Sequence, residues 1–133
     1  MKFMMEFWQA ELHSEHWMYH IMSYVITPFE VSSQALAAPV EVRFVHLYSA
    51  IATRHSDTMD CKFLVDGKGV ILGLAHPGFV DFRDRTGRNL SDREASYIAA
   101  EYLRERLEQE DEHSLYDVST ADVIRIIEKI GIR

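Results

Sequence analysis

The chain has 133 residues, 47% of them apolar and 26% charged, the balance of one globular domain spanning residues 1–133 rather than of a disordered segment. A formal net charge of −7 repels phosphate backbones at long range and argues against nucleic acid as a partner. The single cysteine, Cys61, rules out an intramolecular disulfide and fits a reducing, cytoplasmic setting.

Met1 to Glu11 holds no continuous apolar run, because Glu6 and Glu11 interrupt it, so no secretory leader is read there. The longest uncharged stretch, His16 to Phe29, is too short to span a bilayer, and no membrane partner is expected. From about Lys2 to Val25 the spacing of Met5, Trp8, Leu12, Tyr19 and Met22 predicts a helix. The later part, His16 to Ile26, also reads as a strand, being aromatic and β-branched toward its end. Thr27-Pro28 closes the element in either case.

Two features of this segment bear on function. Met and aromatic residues crowd it, either as core packed against a sheet or as a surface that a partner covers. A variant of the second reading is a ligand pocket lined by Trp8, Trp17, Tyr19 and Phe44. The second feature is His13, His16 and His20, which share one face of a helix. All three cannot converge on one ion: seven residues of helix rise about 10 Å, against zinc–nitrogen bonds of about 2 Å. Two of them with a ligand from elsewhere form the candidate metal site; the plainer reading is an exposed polar face. On a strand the shared face disappears.

Ser32 to Pro39 is small-residue-rich and joins two elements. Val40 to His55 carries two patterns. Phe44, Leu47, Tyr48 and Ile51 make a helical stripe behind Pro39, whereas Val40, Val42 and Phe44 alternate with Glu41 and Arg43 as in a strand. The balance goes to helix. Cys61–Val65 and Val70–Leu74 then read as strands of a β-hairpin around Asp66-Gly67-Lys68-Gly69, whose residues tolerate positive φ. Lys62 to Gly73 resembles the Asp-Gly hairpins of small ligand-sensing α+β domains, and no functional residue is carried over from that likeness. His76-Pro77-Gly78 reads as a turn and Phe79–Arg83 as a third strand.

The hairpin strands are apolar on both faces. Phe63 and Val65 oppose Leu64, and Val70 and Leu72 oppose Ile71. Such a sheet has to be covered twice, once by helices and once by something else, for which a second copy of the chain is the expected partner. His76, beside the arginines Arg83, Arg85 and Arg88, is the candidate small-ligand site, since guanidinium groups hold carboxylate or phosphate. With Asp81 and Asp84 interspersed, the plainer reading is a solvated turn.

Two helices follow. Ser91-Asp92-Arg93-Glu94 is a capping box, after which Ala95, Ile98, Ala99, Tyr102, Arg106 and Leu107 mark one face. The second begins near Ser119, carries Val123, Ile127 and Ile130, and stops at Gly131. Phosphate-loop, dinucleotide, nucleophile-elbow and zinc-protease motifs are lacking, and no catalytic residue or cofactor is assigned. The expected architecture is α+β: a short antiparallel sheet of at least three strands with a central hairpin, packed with an N-terminal and two C-terminal helices. The expected role is a non-catalytic binding or interaction module that forms a homodimer. The alternatives are a pocket protein or enzyme using His76, and the histidine metal site.

Overall fold

The computed structural model describes residues 27–33, 38–50, 54 and 56–133. The expected N-terminal helix lies outside them, as do Trp8, His13, His16, Trp17, Tyr19 and His20. Among the described residues five strands form one sheet in sequential order: β1 (Phe29–Val31), β2 (Val40–Ser49), β3 (Thr58–Val65), β4 (Lys68–Ala75) and β5 (Leu115–Val118). Two helices, α1 (His76–Thr86) and α2 (Asp92–Glu108), connect β4 to β5, and α3 (Thr120–Ile130) follows β5. The class is α+β.

β1 to β4 pair antiparallel, but β5 runs parallel to β4. The sheet is therefore mixed, not antiparallel throughout as expected. The two-helix crossover causes this, because it returns the chain to the end of the sheet from which β4 started. Asp66 and Gly67 make the link from β3 to β4, with φ of 50° and 83°, left-handed values that suit a two-residue turn. Asp66 also holds β2: its Oδ1 accepts the Glu41 amide at 2.8 Å, and its amide donates to the Glu41 carbonyl at 2.8 Å.

Two further expectations are corrected. Val40–Ser49 is a strand, so the Val40/Val42/Phe44 alternation prevailed over the helical stripe. A bulge explains why both patterns coexist. Register shifts between Phe44 and His46, leaving Val45 as the extra residue. Beyond it Leu47 returns to the face of Val42 and Phe44, while His46 and Tyr48 turn to the other. The segment Phe79–Arg83 is helix, not strand. Pro77 occupies the first helical turn, where its missing N–H costs nothing, and Gly87 ends the helix with φ of 83°. Gly78 and Phe82, four residues apart, form its buried stripe.

β5 was not foreseen. Four residues with a single exposed–buried alternation give too little signal, and its place depends on pairing with a distant strand. The two later helices start as read, and the second of them stops as read. Ser91 Oγ accepts the Glu94 amide at 3.1 Å and Glu94 Oε1 accepts the Ser91 amide at 2.8 Å. Ser119 Oγ accepts the Asp122 amide at 3.1 Å, and Gly131 closes α3 at φ of 80°.

The core sits on one side of the sheet. Phe29, Val31, Val42, Cys61, Phe63, Leu72, Leu74, Tyr116 and Val118 are buried there with Ile98, Leu103, Ile126 and Ile127 from the helices. Burial pushes the Cys61 thiol well above its ordinary pKa, aided by the negative charge of Asp60 and Asp92. Where α1 crosses α3, Gly78 allows close approach: a Cβ there would lie 2.7 Å from Val123 Cγ1 and 2.8 Å from its Cβ. Gly78→Ala is expected to destabilise the protein by about 1–3 kcal/mol through this overlap. Urea unfolding checks it, and the penalty is expected to shrink in a Val123→Ala background.

Candidate functional site

The register assigns every strand side chain to a face. None of the strand residues in the hydrophobic core belongs to the second face. That face carries Arg43, His46 and Tyr48 from β2; Lys62 and Leu64 from β3; Ile71 from β4; and Leu115 and Asp117 from β5. Leu64 and Ile71 are half-buried, whereas Leu115 on β5 and the bulge residue Val45 on β2 are each 42% exposed. His46 and Tyr48 stack with ring centres 5.0 Å apart. Among the described residues, α1, α2 and α3 all pack on the opposite side.

A buried ion pair anchors this face. Asp60 on β3 is 0% exposed. Arg54 Nε donates to Asp60 Oδ2 at 2.7 Å and Nη2 to Oδ1 at 2.9 Å, a bidentate fork. Thr58 Oγ1 donates to Asp60 Oδ1 at 2.8 Å and accepts from Arg54 Nη2 at 3.2 Å. The Asp60 hydrogen bond raises the Arg54 pKa, against a smaller lowering by burial. Gly73, paired with Asp60 in register, leaves room for the guanidinium: a Cβ would stand 2.8 Å from Arg54 Nη2. Sequence reasoning did not single out this cluster. Gly73 inside an apolar strand was the available signal, since a strand glycine marks close approach.

The other residues read as site candidates are placed as follows. His76 starts α1 and stacks on Phe79 with ring centres 6.3 Å apart. Arg83 and Arg85 lie in the last turn of α1, about 10 Å or more along the axis from His76. Arg85 pairs with Asp81 at 2.7 Å. Arg88 is engaged within the fold: it grips Glu94 through two bonds of 2.9 and 2.8 Å, reaches the Arg133 carbonyl, and stacks on Phe82. Phe44 is half-buried on the helix-covered face, edge-on to Phe63 at 5.5 Å. Among the described residues no three His, Cys, Asp or Glu side chains gather as a metal site would need. No helix among them is long and apolar enough to cross a membrane.

The concavities among the described residues include two that lie away from the second face. One, of about 260 Å³, has Val65, Val70, Leu107 and Tyr116 among its walls and His113 at its margin. His113 Nε2 meets Asp111 Oδ1 at 2.7 Å. The other, of about 550 Å³, runs between α2 and α3 and is bordered by ion pairs. Arg125 forks onto Glu105 at 3.1 and 2.9 Å, and Lys129 joins Glu105 at 2.7 Å and Glu101 at 2.6 Å. Burial alone would raise the Glu105 carboxyl; the bonds from Arg125 and Lys129 outweigh it and hold the pKa down at about 2.

Compared with protein-family models, curated proteins and solved structures, the chain matches none.

Two outcomes are expected from this geometry. Arg54→Ala strands a buried carboxylate and is expected to cost about 3–5 kcal/mol. Gly73→Ala displaces the same guanidinium, so its cost is expected to fall in the Arg54→Ala background; a double-mutant cycle by urea unfolding reads the coupling. Glu105 is depressed from 4.5 to about 2, so its stabilisation is present above the unfolded value and is lost as pH falls through that window. Glu105→Gln is therefore expected to flatten the decline of the urea midpoint between these two values, with little effect on its slope near neutrality.

Proposed function

We propose that the chain is a non-catalytic binding module that works through the second face of its sheet, and that the occupant of that face is a second copy of the chain. The observation that carries this reading is the set Leu64, Ile71, Leu115 and Val45, apolar side chains that stand outside the core formed with the helices. Apolar area on a sheet face is stabilised by removal from water, and oligomer formation does so without a further gene product.

A two-fold axis running along the strands sets β2 of one copy over β5 of the other and brings the two second faces together. Arg54 and Asp60 hold the middle of the surface in one conformation, which lowers the ordering cost of association.

Sedimentation velocity and light scattering on the full chain test this. The mass is expected to double as concentration rises. Ile71→Lys with Leu115→Lys is expected to weaken association by roughly 10–100-fold while leaving the thermal midpoint of the monomer within a few degrees. A chain that stays strictly monomeric at high concentration overturns the proposal.

A further inference from the structure

The strand register lines up the second face in rows that run across the sheet. Tyr48, Asp60, Gly73 and Asp117 form one row, from β2 to β5. His46, Lys62, Ile71 and Leu115 form the next, and Arg43, Leu64 and Gly69 the one beyond. The relief of the face follows from these rows. β3 contributes Asp60, Lys62 and Leu64, whereas β4 contributes Ile71 between two glycines. The Arg54 guanidinium already fills the gap at Gly73. At Gly69, among the described residues, a Cβ would meet only Lys62 Cε at 3.4 Å and Nζ at 3.9 Å, the movable end of one side chain. Gly69 is therefore a notch, and Leu64 beside it is a ridge.

Two polar groups of the face are unmet. Among the described residues neither the Tyr48 hydroxyl nor the Asp117 carboxylate takes part in a hydrogen bond or ion pair. Arg54, whose charge reaches Asp117, is committed to Asp60 through its fork. Covering Asp117 with apolar surface alone would strand a charged acceptor, which is unfavourable. A partner for this face has to bring a donor to that position.

A second copy can meet the face about a two-fold axis lying across the strands or along them. An axis across the strands, centred on the middle row, sets Lys62 on Lys62, like charges in contact, and keeps Tyr48 away from Asp117. An axis along the strands, between β3 and β4, lays each row on itself in reverse order. Tyr48 then lies over Asp117 of the other copy, Lys62 over Ile71, and Leu64 over Gly69, each contact occurring twice. The two Arg54 groups approach at the axis, each balanced by its own Asp60.

We propose that the Tyr48 hydroxyl of each copy donates to Asp117 of the other, and that Leu64 of each seats in the notch at Gly69 of the other. This rests on the dimer reading above and adds the residues by which one copy recognises its mate. Side chains of sheets packed face to face interdigitate across about 10 Å, and a large residue opposite a glycine suits that contact.

Thiol cross-linking tests the arrangement. Tyr48→Cys and Asp117→Cys chains, one of them tagged, are mixed at a concentration where the unaltered chain is dimeric, then treated with a short bifunctional thiol reagent. Cys61 is buried and does not compete. The two positions face each other across the gap between the sheets, whereas either position and its own equivalent are offset sideways by about 14 Å, three strand spacings. Linkage is expected between the two variants and not within either alone. Gly69→Leu is expected to weaken association about tenfold or more without lowering the unfolding midpoint of the monomer. Tyr48→Phe is expected to weaken it about tenfold, and to add little in an Asp117→Ala background. A dimer whose two variants do not link, a single variant that links to itself, or unchanged association of Gly69→Leu overturns the arrangement and leaves the dimer standing. A chain that is monomeric at every concentration overturns both.

Discussion

Strand alternation, locked in register across five strands, is the constraint on which the rest of the molecule depends. Phe29 opposite Val42, Val42 opposite Val65, Phe63 opposite Val70, and Leu72 beside Tyr116 all present to the helices together. A slip of one residue in any strand would send its apolar set to the other side. The bulge at Val45 resolves the one place where alternation and composition disagree in β2. Without it His46 would point into the core and Leu47 out; with it Leu47 packs against the core and His46 stacks on Tyr48 on the second face.

Charges then fix how the helices sit. Glu94 caps α2 and at the same time accepts the Arg88 fork, so one carboxylate joins the end of α1's connection to the start of α2. Burial works against its ionised form, and the Arg88 and Ser91 bonds outweigh that, holding its pKa below the ordinary value. Glu101, 1% exposed, ties Arg104 of its own helix to Lys129 of α3. Replacing such pairs by apolar residues need not weaken a fold, but removing one partner does, because the survivor keeps its desolvation cost. Their contribution is orientation: α3 is held at a set rotation beside α2 by Glu101 and Glu105 together.

What was legible in the sequence follows the range of each interaction. The helix starts at Ser91 and Ser119 and the stop at Gly131 are written within four residues of chain, and all three are as read. The positive φ tolerated by Asp66-Gly67 is equally local. Val40–Ser49 carried both periodicities and Phe79–Arg83 read as a strand, and the deciding facts lay elsewhere: strand partners on both sides for the first, Pro77 and Gly87 as punctuation for the second. β5 depends on a partner more than forty residues away. The Arg54–Asp60 pair is tertiary in the same sense, since no spacing rule brings position 54 against 60 across Gly73.

β5 has one side on the helices and the other on the second face of the sheet. Tyr116 points toward the helices, where Tyr102 meets it edge-on at 6.1 Å, and its hydroxyl donates to the Asp111 carbonyl at 2.6 Å. Leu115 and Asp117, its neighbours in the chain, point to the second face. Arg106 of α2 pairs with Asp111 at 3.7 Å and stands over the ring of Tyr102, so the loop that leads into β5 is tied to α2. β5 is four residues long and, like the three-residue β1 at the other edge, is paired on one side only.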